Sequence, residues 1–380
     1  MIILYIWQLL ITDYTFRIVA LGSMVLGIIS GVLGSFAVIR KQSLLGDTVS
    51  HAALPGIALA FLVTFTKRTE ILLLGALISG LLSTFIIIMI SKYSRVKFDS
   101  ALALVLSVFF GGGMVLLTHI QKIPNSNQAG LEKFIFGQAS TLLKRDVNIM
   151  IILGIVLLSI VALFWKEFKL VSFDEEFAES IGFSSQKITA LLFFIIVTAI
   201  IIGLQTVGVI LMSAMLTAPA VAARQWTDRL SIMVVLSAFF GAISGVIGTV
   251  LSSVISKLPT GPTIVIAISV IVLISITLAP NRGLVWNYFR HKKNRREINE
   301  EQVLVNLYDL AMNHGGLNHS HDIYTIKPQV SKDKTSEKNI MDILTSLEKR
   351  GLAKSDYFNK WFITEEGLEH IDEYIERGEG

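Results

Sequence analysis

From about Phe16 to Leu278 the chain is a succession of apolar stretches, most of them near the roughly 20 residues that a helix needs to cross a bilayer. No other feature narrows the possible folds as far. In order, the expected spans are Phe16 to Ile39, Leu44 to Phe65, Glu70 to Ser91, Ala101 to His119, Val147 to Trp165, Ile188 to Leu204, Val207 to Ala223, Leu230 to Ser256 and Thr263 to Leu278. The fold class is therefore an all-α polytopic membrane protein of about eight to nine transmembrane helices, in a domain covering residues 1–290. Met1 to Thr12 is apolar but too short to span and lacks the basic start of a signal peptide, so it reads as an interfacial lead-in.

Composition agrees, with 53% hydrophobic and 16% charged residues. Cysteine is absent, which excludes a disulfide framework and a thiolate metal site, so any metal must be held by oxygen and nitrogen. Positive charge collects in cytoplasmic loops. Threading nine spans with the C-terminus inside puts Arg40 and Lys41, Lys92 to Lys97, Lys166 to Lys187, Arg224 and Arg229, and Arg290 to Arg296 on the cytoplasmic side. Lys67, Arg68, Lys122, Lys133, Lys144 and Arg145 stay outside, so the bias is real without being absolute.

Small residues mark the first span, which carries Gly22, Gly27, Gly31 and Gly34. In lipid, helix association rests on close packing, and such a helix is expected in the interior. Gly111, Gly112 and Gly113 in the fourth span allow a break, a close helix contact or backbone lining a cavity. Phe134 to Leu143 is too short to span and reads as a half-helix or re-entrant segment, with Glu132 just before it as a weak metal contact.

The second span, LLGDTVSHAALPGIALAFLVTF, is unlike the others because it carries Asp47 and His51. An ionisable group at membrane depth costs a few kcal/mol on insertion scales and marks a pathway or binding site by default. At i and i+4 the two share a helical face, with Ser50 beside them, Thr48 a little further round and Pro55 one turn beyond His51. A carboxylate and an imidazole suit a divalent ion such as manganese, zinc or iron. The alternative is structural: Asp47 capping the helix and His51 hydrogen-bonded inside a bundle. From these residues alone both readings stand.

The longest polar interruption, Lys166 to Lys187, has internal order. Asp174 and Glu175 can begin a short helix, Phe177, Ala178 and Ile181 give it an apolar stripe, and Gly182 ends it. It reads either as a docking element or as a loop helix packed on its own bundle.

At HKKNRREINEEQ the composition turns from membrane to soluble, and residues 297–380 read as a separate small α+β domain. A helix over NEEQVLVNLYDLAMN, a loop, a helix over NIMDILTSLEKR stopped by Gly351, extended pieces around Leu352 and Trp361, and a last helix over TEEGLEHIDEYI describe a winged helix. The loop holds His314, His319 and His321, a spacing open to metal binding or to plain solvation.

Several of these pieces carry a resemblance. LLGDTVSHAALPGIALAF resembles the second-helix motif of the ABC transporter permeases that import manganese, zinc or iron(II), and FGQA, FDEEFAESIGF and QTVGVILMSAMLTAPAVAARQWTDRL resemble later landmarks of that family in the same order. The likeness covers about Phe16 to Pro280. It implies a permease that pairs with a second copy or a paralogue, a pair of ABC ATPase subunits docked beneath, and an extracytoplasmic metal-binding protein above. It implies that Asp47 and His51 line the metal path with Ser50, Thr48 and Pro55, and that Asp174, Glu175, Phe177, Ala178, Ile181 and Gly182 form the ATPase-coupling helix. The metal is cargo, and no permanently bound cofactor is expected. The chain has no GxxxxGK[ST] phosphate loop, so it is not expected to be an enzyme itself and hydrolysis falls to a partner. The tail is similar to the winged-helix part of iron- and manganese-dependent repressors. Nucleic acid is not an expected partner, because beyond Lys349 and Arg350 the recognition helix has little basic character and the final helix is acidic. The rivals are a secondary metal carrier and a membrane-anchored metal-responsive regulator.

Overall fold

A computed structural model describes residues 13–66, 68–123, 142–255, 258–313, 320–326, 337–356 and 360–376. Met1 to Thr12, Glu132, most of Phe134 to Leu143, His314 and His319 lie outside the described residues. The chain divides into two compact units, Met1–Leu284 and Val285–Gly380.

The first unit is helical throughout. Its long helices are α1 (Tyr14–Ile39), α2 (Leu45–Thr64), α3 (Thr69–Tyr93), α4 (Phe98–Gln121) and α5 (Lys144–Leu163). Two short helices follow, α6 (Trp165–Phe173) and α7 (Glu175–Ser180). Four more long ones complete the unit: α8 (Ser185–Val207), α9 (Val209–Trp226), α10 (Leu230–Val254) and α11 (Thr260–Leu278). All of these but α6, α7 and α9 are long and apolar enough to cross a membrane, eight helices among the described residues. The expected span Val207 to Ala223 is nevertheless present as α9, separated from α8 by Gly208 at φ +89. It runs the length of α11 in the same direction. Gly261, at the start of α11, lies against Val207 and Leu211, and near the other end Trp226 Nε1 donates to Ser275 Oγ at 3.0 Å.

The ion pairs agree with the order in which the loops were threaded. Arg145 and Glu70 meet at 2.9 Å at one end of the bundle, and Arg40 and Glu175 meet at 3.8 Å at the other.

Small residues hold the centre together. A Cβ placed on Gly27 would strike the Gly241 carbonyl, one on Gly31 the Ser237 carbonyl and one on Gly34 the Leu216 carbonyl, so α1 meets α10 and α9 backbone to backbone. Helices can come that close only without side chains between them. α2 and α3 meet in the same way at Gly56 and Gly75, next to a hydrogen bond of 2.6 Å from Ser79 Oγ to the Ala52 carbonyl. Bulky apolar side chains turn outward instead, among them Val108, Val115, Ile152, Val235 and Leu273. That is the arrangement a hydrocarbon solvent allows.

The glycine triplet does not break its helix: α4 continues from Phe98 to Gln121. Gly113 packs on Leu54 and Pro55 of α2, whereas Gly111 and Gly112 face open space.

The second unit begins with α12 (Leu284–Asn313), which continues through HKKNRREINEEQ, where the composition turns from membrane to soluble. That stretch is mostly Lys, Arg, Glu and Asn and has no Gly or Pro, so nothing in it ends a helix. The short α13 (Ile323–Ile326), α14 (Glu337–Lys349), β1 (Ala353–Ser355), β2 (Trp361–Ile363) and α15 (Glu365–Glu376) follow. β1 and β2 are antiparallel, with Ala353 opposite Ile363 and Ser355 opposite Trp361, and His321 adds an isolated bridge to Trp361. Gly351 at φ +78 closes α14, and Thr364 accepts the Gly367 N–H at 3.1 Å to start α15. Val303, Leu307, Ile340, Leu344, Leu347, Trp361 and Ile363 are buried together beneath this small sheet.

Candidate functional site

The apolar face of α2 buries Leu45, Val49, Ala53, Leu54 and Ile57, which fixes the rotation of the helix and leaves Asp47 and His51 on a half-buried side. His51 Nε2 lies 3.5 Å from Asp47 Oδ1, with the two side chains 18% and 38% exposed. The capping alternative does not hold as stated. Leu44 is the N-cap of α2, Asp47 sits in its first turn, and no side chain caps the end. At that position the carboxylate still gains from the positive end of the helix dipole. The His51 ring meets Phe110 of α4 edge to face, with centroids 4.8 Å apart, and its Nδ1 is buried without a hydrogen-bond partner. Nε2, the ring nitrogen that faces the Asp47 carboxylate, is the one that could share an ion with it.

The other residues picked from this helix are placed differently. Thr48 and Ser50 are buried, and their hydroxyls donate to the Leu44 and Gly46 carbonyls one turn back, at 3.1 and 2.7 Å. Pro55 is half-buried under Gly113. The structure thus brings Asp47 and His51 together, keeps the two hydroxyls on the helix's own backbone, and adds Phe110, which the sequence signalled only as part of an apolar run. Among the described residues no group of three or more His, Asp or Glu side chains comes together.

One cavity of about 340 Å³ lies elsewhere, lined by Glu70, Leu73, Leu77, Met150, Leu153 and Ile201 of α3, α5 and α8. None of the residues singled out in α2 lines it.

The second candidate site is α7. Asp174 caps it, its carboxylate accepting the Phe177 N–H at 2.9 Å. Ala178 is fully buried, while Phe177 and Ile181 are about half exposed at 52% and 50%. The expected apolar stripe is therefore divided: Ala178 faces inward and the two large side chains face solvent. Gly182 at φ +91 ends the segment with open space around it, and Ser185 donates to the Glu179 carboxylate to tie α7 to α8. Glu175 faces Arg40, whose side chain is only 8% exposed.

A bundle of membrane-length helices built on glycine contacts, with an Asp/His pair in its second helix and a short acidic helix that exposes Phe177 at one end, is the build of a polytopic membrane protein. The profile of the ABC 3 transport family matches residues 12–279. The chain belongs to that family, and the resemblance read from the motifs covers nearly the same residues. It is 52% identical over 284 residues to the zinc transport system membrane protein TroC of Treponema pallidum (strain Nichols), covering 75% of this chain and 95% of that protein. It is 42% identical over 348 residues to the manganese transport system membrane protein MntC of Bacillus subtilis (strain 168), covering 92% of this chain and 79% of that one. An alignment of that length runs well into the residues beyond 290. Among solved structures, PsaBC from Streptococcus pneumoniae in complex with Fab matches with a TM-score of 0.66 at 30% identity, over 76% of this chain and 99% of that chain.

Proposed function

We infer that this chain is the membrane-spanning permease subunit of an ATP-driven importer of divalent transition-metal ions. Family membership over residues 12–279 carries the reading, and the relatives named for zinc and for manganese support the cargo class. Asp47 and His51 are the proposed ligands. An ion bonded to both at about 2.1 Å, the usual length for nitrogen and carboxylate ligands, would see their 3.5 Å separation under an angle of about 110°, close to tetrahedral. The carboxylate offsets part of the ion's lost hydration, and the imidazole favours transition metals over magnesium and calcium. Two ligands from one chain make an open site, which a passing ion can leave. Water, or a second permease copy or paralogue, would complete the coordination. Thr48 and Ser50 act as packing hydroxyls beside the path, and Pro55 shapes the helix under Gly113.

The end that carries Arg40, α6 and α7 is the cytoplasmic one by its positive charge. Phe177 on α7 and Ile181 at its C-cap are the apolar anchors for an ABC ATPase, Asp174 and Glu175 start the helix, and Ala178 and Gly182 set its seat and its end. An extracytoplasmic metal-binding protein would deliver from the opposite end. Residues 1–290 form the permease domain. Residues 297–380 form a winged-helix-like cytoplasmic domain, a reading supported by the order α12, α14, β1, β2, α15. A regulatory or docking role suits it better than DNA binding, because Arg350, one of the two cations counted on the recognition helix, is paired with Glu300 at 3.2 Å.

The test is uptake of radiolabelled manganese and zinc into vesicles holding the full complex. Asp47→Asn and His51→Ala should each insert and assemble normally yet lose about tenfold or more of uptake, since the carboxylate is 38% exposed and water can hydrate it when the imidazole is lost. Undiminished uptake in both, and in the double variant, would remove the ligand assignment.

A further inference from the structure

Arg40 is the one described cation whose side chain is nearly buried among four helices. It is the C-cap of α1. Its Nη1 donates to the Val171 carbonyl of α6 at 3.3 Å, its Nη2 lies 3.8 Å from Glu175 of α7, and its guanidinium carbon sits 5.9 Å over the ring of Phe193 in α8. Phe193 in turn stacks on Phe98, the first residue of α4, at 6.4 Å with planes 13° apart. One turn earlier on α1, Phe36 meets Trp165 and Phe168 of α6 edge to face at 5.9 and 6.0 Å. Burial pushes the Arg40 guanidinium down from its ordinary value and Glu175 opposes this, so the contacts above are what hold a charge in that place.

A corner of the chain joins this knot to the Asp/His helix. Lys41 adopts the left-handed conformation at φ +57, Gln42 N–H donates to the Ala37 carbonyl at 2.8 Å, and Leu45 N–H donates to the Gln42 carbonyl at 3.0 Å. Hydrogen bonds on both sides make the turn stiff, and Asp47 follows within the first turn of α2. At its other end the same set of contacts reaches α4, the helix that places Phe110 against His51. Both elements flanking the proposed ion site therefore start at the cluster that Arg40 holds. Packed contacts and charge pairs of this kind are the physical means by which displacement at one place is felt at another.

We propose that Arg40 is the positioning residue that couples movement of α6 and α7 to the Asp47/His51 helix, so that ATP hydrolysis and ion passage stay in step. The proposal rests on the reading of α7 as the ATPase-docking helix. Arg suits the task for reasons Lys does not share. Its planar fork can donate to a carbonyl, face a carboxylate and lie on a ring at once. Removing it leaves Glu175, which is half exposed and can be hydrated, so the bundle should still fold.

The experiment uses the full complex in proteoliposomes, with manganese(II) as cargo, and compares Arg40→Gln, Phe193→Leu and Phe177→Ala with the unaltered chain. Arg40→Gln should purify with its ATPase and hydrolyse ATP at the unstimulated rate, but move about tenfold fewer ions per ATP, with the half-saturating manganese concentration unchanged. Phe193→Leu should shift the same ratio in the same direction by a smaller factor. A wild-type ion-to-ATP ratio in either variant overturns the proposal, as does loss of ATPase binding in Arg40→Gln alongside normal coupling in Phe193→Leu, because Arg40 would then serve assembly. Should Arg40→Gln fail to accumulate, Phe193→Leu decides by the same ratio. Phe177→Ala reads the docking surface separately: normal ATPase binding and transport there would remove the docking reading whatever Arg40 does.

Discussion

The bundle and the tail unit are built from similar apolar side chains and arrange them oppositely. In the bundle, glycine and serine lie at the helix contacts while Val108, Ile152, Val235 and Leu273 point outward. In the tail, Leu304, Leu307, Leu344 and Trp361 point inward, and the outer faces of α14 and α15 are polar. The difference follows from the solvent. In water, burying leucine drives folding, at about 25 cal/mol per Å² of apolar surface. In hydrocarbon, leucine gains little by leaving the lipid, so close backbone contact must hold the helices together.

The largest effect expected from this contrast is at Gly31. A methyl group there would meet the Ser237 carbonyl, which is backbone and cannot swing aside. Gly31→Ala should therefore abolish accumulation of a monodisperse permease in detergent. Gly112→Ala, in open space on α4, should accumulate normally and gain about 0.5–1 kcal/mol of helix propensity. Equal behaviour of the two would mean that glycine contacts do not organise the bundle.

Next in size is Leu344→Ala in the tail. Leu344 is fully buried at the centre of that core. Truncating it should cost about 2–5 kcal/mol, a large share of the stability of a small unit. Limited proteolysis should then cut within residues 285–380 while metal uptake continues. Loss of uptake at normal membrane levels would make the tail part of the transport machine.

Much of this was legible in the sequence, for reasons that differ by region. Helix existence followed from apolar length alone, and the Asp47/His51 pair followed from i,i+4 spacing, because both depend only on local geometry. The tertiary roles of the polar residues did not. Thr48 and Ser50 share the α2 neighbourhood of Asp47, but whether a hydroxyl lines a path or returns to its own backbone depends on which helix packs beside it. Arg40 read as one more charge in a cytoplasmic loop, and only the approach of Val171, Glu175 and Phe193 from distant parts of the chain reveals its burial. The glycine triplet shows the same limit: Gly113 is a contact and its two neighbours are not, a distinction set by where α2 lies.

The smallest effect is the most discriminating. Ser35 Oγ donates to Ser237 Oγ at 2.9 Å between α1 and α10, and both side chains are fully buried. If polar contacts rather than backbone approach held these helices, the pair should be strongly coupled. Ser237, however, gives its own proton to the Met233 carbonyl at 2.7 Å, and the single Ser35 proton has the Gly31 carbonyl at 2.9 Å as an alternative acceptor, so losing the partner strands no buried donor. A double-mutant cycle with Ser35→Ala and Ser237→Ala, read as reversible unfolding in mixed micelles, should give a coupling of about 0.6 kcal/mol, the typical value for interhelical hydrogen bonds in membranes. A coupling above about 2 kcal/mol would transfer the main role from the glycines to the serines and would require Gly31→Ala to be tolerated better than its geometry allows.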